Sequence, residues 1–432
     1  DSAVLKNAFY LENLNTYQNI NWRENFGVGW KITTGISFST NKDDMNNELQ
    51  DANNQKKVIT NPSFYAFKNF KLNNSAQYAQ ARVVLDKKLN GLNVIRFGAD
   101  YFYSKEKSTY TLYDGTKFTE SVKDNLESVF AEADLFITND LAAKVGGRVE
   151  HSAIVNKWNV APRVSVAYKF RDNSQASFAY GLFYQNPERK YLPAVASLDF
   201  SRAAHYILQY QKISKDRTFR VEAFYKKYTD LYKTATSLTG REVATNNNGF
   251  GDAKGLEFFF RDKKTFKNVD YWISYSYLDT KRDYLNYPQA ITPSFAANHT
   301  AAFVIKKFVL PWKTGFNVSY NFATGRPYYR FAYDNTQSKY VIADAGKTIN
   351  YNSMSFSVNY LPKLGKTNAK SFIVWVLGIN NVLGQNQVFN YNYNNAGTRK
   401  EAVTPPSKRF IYIGCFISFG IDRTQDAINN NL

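Results

Sequence analysis

Apolar and polar side chains alternate along this chain in stretches of about a dozen residues, and such period-two alternation predicts β-strands. Seventeen stretches carry it: residues 5–20, 27–40, 77–89, 92–105, 127–139, 141–154, 158–170, 174–186, 203–214, 217–232, 252–262, 269–281, 297–309, 312–323, 351–361, 370–383 and 408–421. The connectors alternate short and long. NWRENF, KLNGL, TNDL, FRDNSQ, SKDRT, DKKTFKN, VLPWK and LPKLGKTNAK are the short ones, rich in residues that tolerate tight turns. Long connectors are expected over residues 41–76, 105–126, 187–202, 233–251, 282–296, 324–350 and 384–407, with a brief one near Asn156–Trp158. Tight turns at one end and long loops at the other predict an all-β fold, a transmembrane antiparallel β-barrel. Residues 1–432 are read as a single barrel domain.

Parity along each stretch assigns its faces. Ile411, Ile413, Cys415, Ile417, Phe419 and Ile421 share one face, as do Val129, Ala131, Ala133, Leu135 and Ile137. If these meet lipid, then Arg82, Arg96, Asp100, Glu132, Asp134, Lys144, Arg148, Glu150, Arg163, Arg220, Glu222, Glu257 and Arg261 turn into the lumen. An Arg or Lys facing lipid near the midplane would cost about 2–4 kcal/mol. A lumen carrying both signs of charge suits a barrel filled by a polar plug that pairs with its wall.

Composition agrees with this pattern. The chain holds 34 Phe, 32 Tyr and 6 Trp, yet its mean hydropathy is −0.47. A barrel needs apolar residues on one face only, with Tyr and Trp girdles at the interfaces. The longest apolar run, Phe372–Ile379, is strand-length and far short of the roughly 20 residues of a transmembrane helix. The lone Cys415 excludes a disulfide framework and reads as a packing residue. The net charge of +19 is dispersed rather than clustered, which favours anionic lipid head groups and acidic partners over nucleic acid.

Catalytic and metal chemistry find little support. His151 and His299 are expected to face outward and His205 inward, so the three do not converge. His151 and Ser152 lie on opposite faces, against a hydrolase pair. There is no phosphate-binding glycine loop and no calcium-binding DxDxDG pattern. No enzyme activity, metal or cofactor is expected. Ligand capture fits better. Residues 324–350 contain Arg326, Tyr328, Tyr329, Arg330, Tyr333 and Tyr340, and residues 384–407 contain Phe389, Tyr391 and Tyr393. Aromatic faces stack on sugar rings, flat chelates or apolar ligand parts, while Arg and Asn supply hydrogen bonds. The competing reading is that these aromatics only pack the loops or form a girdle. Residues 41–76, with few anchors, read as a mobile loop, a candidate lid or a contact for a surface lipoprotein.

Several segments resemble the barrel of TonB-dependent outer-membrane receptors, the Bacteroidetes type in particular. They are LAAKVGGRVEHS (Leu141–Ser152), KWNVAPRVSVAYKF (Lys157–Phe170), SQASFAYGLFYQNPE (Ser174–Glu188), TFRVEAFYKKYTDL (Thr218–Leu231), NNNGFGDAKGLEFFF (Asn246–Phe260), SYSYLDTKRDY (Ser274–Tyr284), ATGRPYY (Ala323–Tyr329) and INNVLG (Ile379–Gly384). The resemblance covers most of residues 127–421. It implies a barrel of about 22 strands around an N-terminal plug, of which the seventeen stretches would be the sixth to the last. The plug, five strands and the TonB-binding segment would then lie outside this sequence. One departure is that Phe419 is followed by GIDRTQDAINNNL, where the family commonly stops at a terminal aromatic. The resemblance further implies an outer-membrane location with long loops extracellular and the C-terminus periplasmic. It implies import of a nutrient ligand with TonB-derived energy. Expected partners are outer-membrane lipid and lipopolysaccharide, TonB, a surface lipoprotein, and a small-molecule, glycan or peptide ligand. The alternatives are a passive porin and a structural barrel in a surface or secretion assembly.

Overall fold

A computed structural model describes residues 5–61, 63–192, 194–236, 242–334, 336, 339–366, 371–394 and 397–419. All seventeen expected strands are present. They are β1 (Lys6–Phe26), β2 (Trp30–Gln50), β3 (Phe70–Lys88), β4 (Val94–Thr111), β5 (Lys117–Phe136), β6 (Leu141–Ser152), β7 (Lys157–Lys169), β8 (Ser174–Gln185), β9 (Ser201–Ile213), β10 (Arg217–Thr236), β11 (Glu242–Asp262), β12 (Val269–Asp283), β13 (His299–Val309), β14 (Thr314–Ala323), β17 (Tyr351–Tyr360), β18 (Ser371–Asn380) and β21 (Phe410–Phe419). Together they form one antiparallel sheet. Two hairpins that the sequence did not announce sit inside the last long connectors: β15 (Pro327–Asp334) with β16 (Lys339–Lys347), and β19 (Asn390–Tyr393) with β20 (Lys400–Val403). The only helical elements among the described residues are three short 3₁₀ turns, and none is long and apolar enough to cross a membrane. Ile421 of the expected last strand lies outside the described residues.

The chain divides into two compact units. One comprises residues 1–165, 181–202 and 230–248, the other residues 166–180, 203–229 and 249–432. In the first, β1 to β6 pair in chain order. In the second, β11, β12, β13, β14, β17, β18 and β21 follow one another in the same way.

Several connectors differ from expectation. NWRENF is not a turn, because β1 runs through it to Phe26 and the chain reverses at Gly27–Gly29, where both glycines have positive φ. Gly reaches that region without the Cβ penalty, so the turn moves to it. The long connector over 105–126 is mostly strand, with β4 and β5 closing on residues 112–116, and nearly half of that over 41–76 is strand, since β2 continues to Gln50 and β3 starts at Phe70. Asn- and Lys-rich sequence hid this, because a strand with polar side chains on both faces shows no alternation. What remains of the supposed mobile loop is anchored. Asn69 is buried, accepts from the Leu49 amide at 3.0 Å and donates to the Lys57 carbonyl at 3.0 Å.

The faces follow parity in both units. In the first, Val83, Phe97, Ala99, Val129, Ala131 and Val149 line up across β3–β6, and Val129 is 57% exposed. In the second, Phe260, Ile273, Phe303, Tyr320 and Met354 form a row across five strands, backed on the opposite face by Ser274, Ala302, Asn321 and Ser353. Apolar rows, exposed or half-buried, over a largely polar reverse face are what a sheet needs between lipid and water. Cys415 is exposed in the apolar row of β21.

Candidate functional site

Two arrangements stand out, one in each unit. In the first unit the polar face of β2–β6 carries a circuit of paired charge made of two networks. Arg96 donates through Nε to Asp86 at 2.6 Å, pairs with Glu132 and approaches Asp134 at 3.7 Å. Lys31 meets Asp86 at 2.6 Å, and Lys144 lies 3.2 Å from Glu132 and 3.4 Å from Asp134. Arg148 bridges Asp100 and Glu150 at 2.6 and 2.5 Å, while Arg82 reaches Asp100 at 3.4 Å. The Phe130 ring lies across Gly98, with the guanidinium carbons of Arg82 and Arg148 at 5.5 and 5.9 Å from its centroid. A Cβ at residue 98 would strike that ring, so the glycine gives it its seat. Arg163 is placed over Phe183 at 4.8 Å.

Residues 186–200, which join β8 to β9, rest on this same polar face. Arg189 Nη1 donates to Glu106 at 2.8 Å with its guanidinium 5.2 Å from the Tyr78 ring, and Asn186 donates to Asp124 at 2.9 Å. The buried Tyr232 hydroxyl donates to the Asp199 carbonyl at 2.8 Å, and Asn247 donates to the same carbonyl at 3.0 Å. That bond gives Asn247, in the Asn/Gly-rich segment, a structural task.

In the second unit the two loop hairpins converge. The Tyr328 and Tyr391 rings are 4.7 Å apart, and Lys400 Nζ donates to the Tyr328 hydroxyl at 2.7 Å while lying 4.8 and 5.2 Å from the two ring centroids. Tyr393 donates to Asp344 at 2.5 Å, Lys400 approaches the same carboxylate at 3.7 Å, and Arg330 lies 5.8 Å from the Tyr393 ring. Gly346, opposite Tyr328, leaves room for the ring to lie across β16. Tyr329 and Tyr333 go elsewhere. Tyr329 stacks on Phe331, contacts Tyr287 and donates to the Thr292 carbonyl at 2.9 Å, and Tyr333 packs on Tyr340. For these two, loop packing is the role the geometry gives.

A cavity of about 600 Å³ opens beside the hairpins, within the range of small-molecule sites. It joins Arg326 and Phe389, from the connectors, to Arg220 and Glu257 on the polar face of the strands. A second cavity of about 400 Å³ adjoins it through Ile349 and Val388. Ser274, Ser276, Thr300, Asn321, Tyr351 and Glu257 line the first, and their side chains make no hydrogen bond or ion pair among the described residues. Arg220 lies 5.9 Å from the Phe259 ring and Glu222 accepts from Gln209 at 3.4 Å. Unlike the self-paired wall of the first unit, this wall keeps its hydrogen-bonding capacity unspent.

The histidines stay apart, with His151 against Trp158 at 4.8 Å and His299 Nδ1 2.8 Å from the Tyr275 hydroxyl. Among the described residues no group of three or more His, Cys, Asp or Glu could hold a metal ion.

Burial and the hydrogen bond to Asp344 push Tyr393 up to about 12, Asp344 is lowered first by that bond, and Lys400 is raised first by Tyr328. A raised phenol or ammonium stabilises the folded form below its ordinary value and loses that effect as pH rises through the raised one. A lowered carboxylate stabilises above its ordinary value and loses the effect as pH falls. The hairpin pair is therefore expected to hold between about pH 4 and 10. Spectrophotometric titration should show one fewer late-titrating tyrosine in Tyr393→Phe than in the parent. An unchanged titration curve in that variant would count against the Tyr393–Asp344 bond.

Sequence reasoning missed Asp344, Lys400, Asp86, Lys31 and the Arg189 contacts. Asp86 shares the parity of Arg82, so the face rule could have found it. Lys400 and Asp344 carried no signal before the hairpins were known.

The family model for the TonB dependent receptor-like β-barrel matches residues 3–382. The chain belongs to that family. Its landmarks now have physical content in this TonB dependent receptor-like barrel. In the Gly-Gly-Arg of β6, Gly146 lets Glu132 come close, and Arg148 is the bridge to Asp100. The fold is similar to that of the outer membrane transporter YddB from Escherichia coli, with a TM-score of 0.70 and 13% identity over 95% of this chain and 63% of that one. It is also similar to the pyoverdine receptor FpvA from Pseudomonas aeruginosa PAO1 (0.68, 11%, 94% and 62%) and to the ferric yersiniabactin uptake receptor FyuA from Yersinia pestis (0.67, 13%, 95% and 62%). The chain spans less than two thirds of the length of each. No curated protein sequence matches it.

Proposed function

We propose that this barrel belongs to an outer-membrane transporter that captures a nutrient ligand at the β15–β16 and β19–β20 hairpins and imports it with TonB-derived energy. In this reading the tight turns face the periplasm, the hairpins face the outside, and the first-unit charges line the lumen. The observation that carries it is the convergence of Tyr328, Tyr391, Arg330 and Lys400 beside a cavity where Ser274, Ser276, Thr300, Asn321 and Glu257 have no side-chain partner among the described residues. Family membership supports transport as the setting, and the likeness to a pyoverdine receptor and a ferric yersiniabactin uptake receptor supports a small-molecule cargo.

The test uses the intact protein in its own strain, grown on iron chelates or oligosaccharides as sole source of iron or carbon. A substrate whose use disappears both on deletion of this protein and on deletion of TonB identifies the cargo. Tyr328→Ala with Tyr391→Ala should then reduce its uptake roughly tenfold or more, since each aromatic face is worth on the order of 1 kcal/mol. Unchanged uptake removes both residues from the site. Uptake that persists without TonB, together with liposome swelling, would replace the transporter with a porin.

A further inference from the structure

Arg96, Arg148 and Arg261, on the polar face of the strands, each meet a carboxylate. Arg282, at the far end of β12 and on the same side as Ser274 and Ser276, does not. It makes no ion pair and no side-chain hydrogen bond among the described residues, and its Nε–H is buried without an acceptor. Its surroundings are aromatic. The guanidinium carbon lies 4.3 Å from the Tyr228 ring centroid, 5.5 Å from that of Phe295 and 5.7 Å from that of Tyr284. Gly251 stands directly opposite, and a Cβ there would strike the Arg282 side chain, so the glycine lets it cross to Tyr228 on β10. The backbone is pinned too. The Arg282 amide donates to the Ile291 carbonyl at 2.9 Å, and its carbonyl accepts from the Ile291 amide at 3.1 Å. Lys226, between Phe224 and Tyr228 on the same face of β10, also has no ion pair among the described residues, and its Nζ lies 5.0 Å from the Phe224 ring. The first carboxylate on this face of β11, Glu257, is six residues along from Gly251 toward the tight turn.

Rings around a guanidinium hold it in place by cation–π attraction and leave its hydrogen-bond donors unspent. A buried donor without an acceptor is costly, and an arriving acceptor removes that cost. The group that matches a guanidinium fork is planar and anionic, a carboxylate accepting two parallel N–H bonds. Phe295 is 53% exposed on the connector between β12 and β13. It is the loosest wall of this cage and the side from which such a group enters.

We propose that Arg282, with Lys226 on the neighbouring strand, binds a carboxylate group of the cargo at a station separate from the hairpin cluster. The proposal rests on the transport reading above and adds to it that the cargo carries a carboxylate. Uptake that persists without TonB would defeat that reading, whereas the outcomes below bear on Arg282 alone.

The test treats the intact protein in dodecyl maltoside with phenylglyoxal, which modifies accessible guanidinium groups. Mass spectrometry follows the adducts at Arg282 and at Arg23, an exposed arginine of β1. The probe is tricarballylate, compared with its neutral triamide. Millimolar tricarballylate should slow modification of Arg282 at least fivefold and leave that of Arg23 unchanged, while the triamide should slow neither. Lys226→Gln should weaken the protection at least twofold, with the Arg23 rate as the check that the fold is intact. Equal protection by the triamide or by inorganic phosphate would overturn the proposal, since neither offers a carboxylate. So would an Arg282 modified at the same rate with and without tricarballylate. An Arg282 that resists phenylglyoxal before any probe is added would also overturn it, giving the site to an acidic side chain of the intact protein.

Discussion

Gly325→Ala is expected to unseat the β15–β16 hairpin and reduce ligand uptake at least tenfold while the sheet itself survives. At residue 325 the two arms of the connector come together. The Gly325 amide donates to Asn350 at 3.0 Å, the Arg326 amide to the Thr348 hydroxyl at 3.0 Å, and the Thr348 amide to the Arg326 carbonyl at 2.9 Å. A Cβ on residue 325 would fall well inside contact distance of the Thr348 carbonyl oxygen. Both sides of that clash are backbone, so no side chain can step aside, and relief requires opening the clasp. A displacement of this kind costs on the order of 1–3 kcal/mol. It also moves Arg326 at the cavity and carries Tyr328 away from Tyr391 and Lys400. Limited proteolysis should cut within residues 324–350 in the variant and not in the parent. If protection and uptake both stay at parental levels, the clasp does not position the site.

Arg148→Met should lower the thermal midpoint of the detergent-solubilised protein more than any other single change in the first-unit wall. Arg148 supplies both Asp100 and Glu150, and its side chain is 23% exposed against 10% for Asp100. Removing one member of a largely buried pair leaves charge without a counterion, at a cost of about 3–5 kcal/mol, and partial exposure places this case toward the lower end. Arg148→Lys should recover only part of the loss, because one ammonium cannot present the fork that serves both carboxylates. Combining Arg148→Met with Glu150→Leu should recover part as well, since it removes the stranded anion, whereas Asp100 keeps Arg82 at 3.4 Å. Heat-modified electrophoretic mobility reads the midpoint, and an unshifted midpoint for Arg148→Met would show that the circuit contributes nothing to stability.

The parts of the fold that sequence disclosed are those where lipid meets one face and water the other. There the period-two pattern is enforced by transfer free energy, so every one of the seventeen strands appears near its expected place. The halves of β2–β5 far from the tight turns carried no such pattern. Asn41–Gln50 and Phe70–Ala76 bear polar side chains on both faces, so no alternation marks them. The charged residues of β3–β6 could be assigned to a face, yet their partners could not be named without register, because Arg96 and Glu132 meet only when β4 and β5 pair as they do. At the candidate site, composition picked out Tyr328, Arg330, Tyr391 and Tyr393. It could not separate them from Tyr329 and Tyr333, which differ by strand parity and by the bulge after Arg330.

The circuit on β2–β6 has a consequence for whatever polypeptide occupies the space it borders. Five cations, Lys31, Arg82, Arg96, Lys144 and Arg148, already answer five anions, Asp86, Asp100, Glu132, Asp134 and Glu150. Such a surface offers a neighbour dipoles rather than net charge. A segment lodged there would be held by contacts that water can replace one at a time, so a modest mechanical pull could free it, and the wall would close its own electrical accounts behind it.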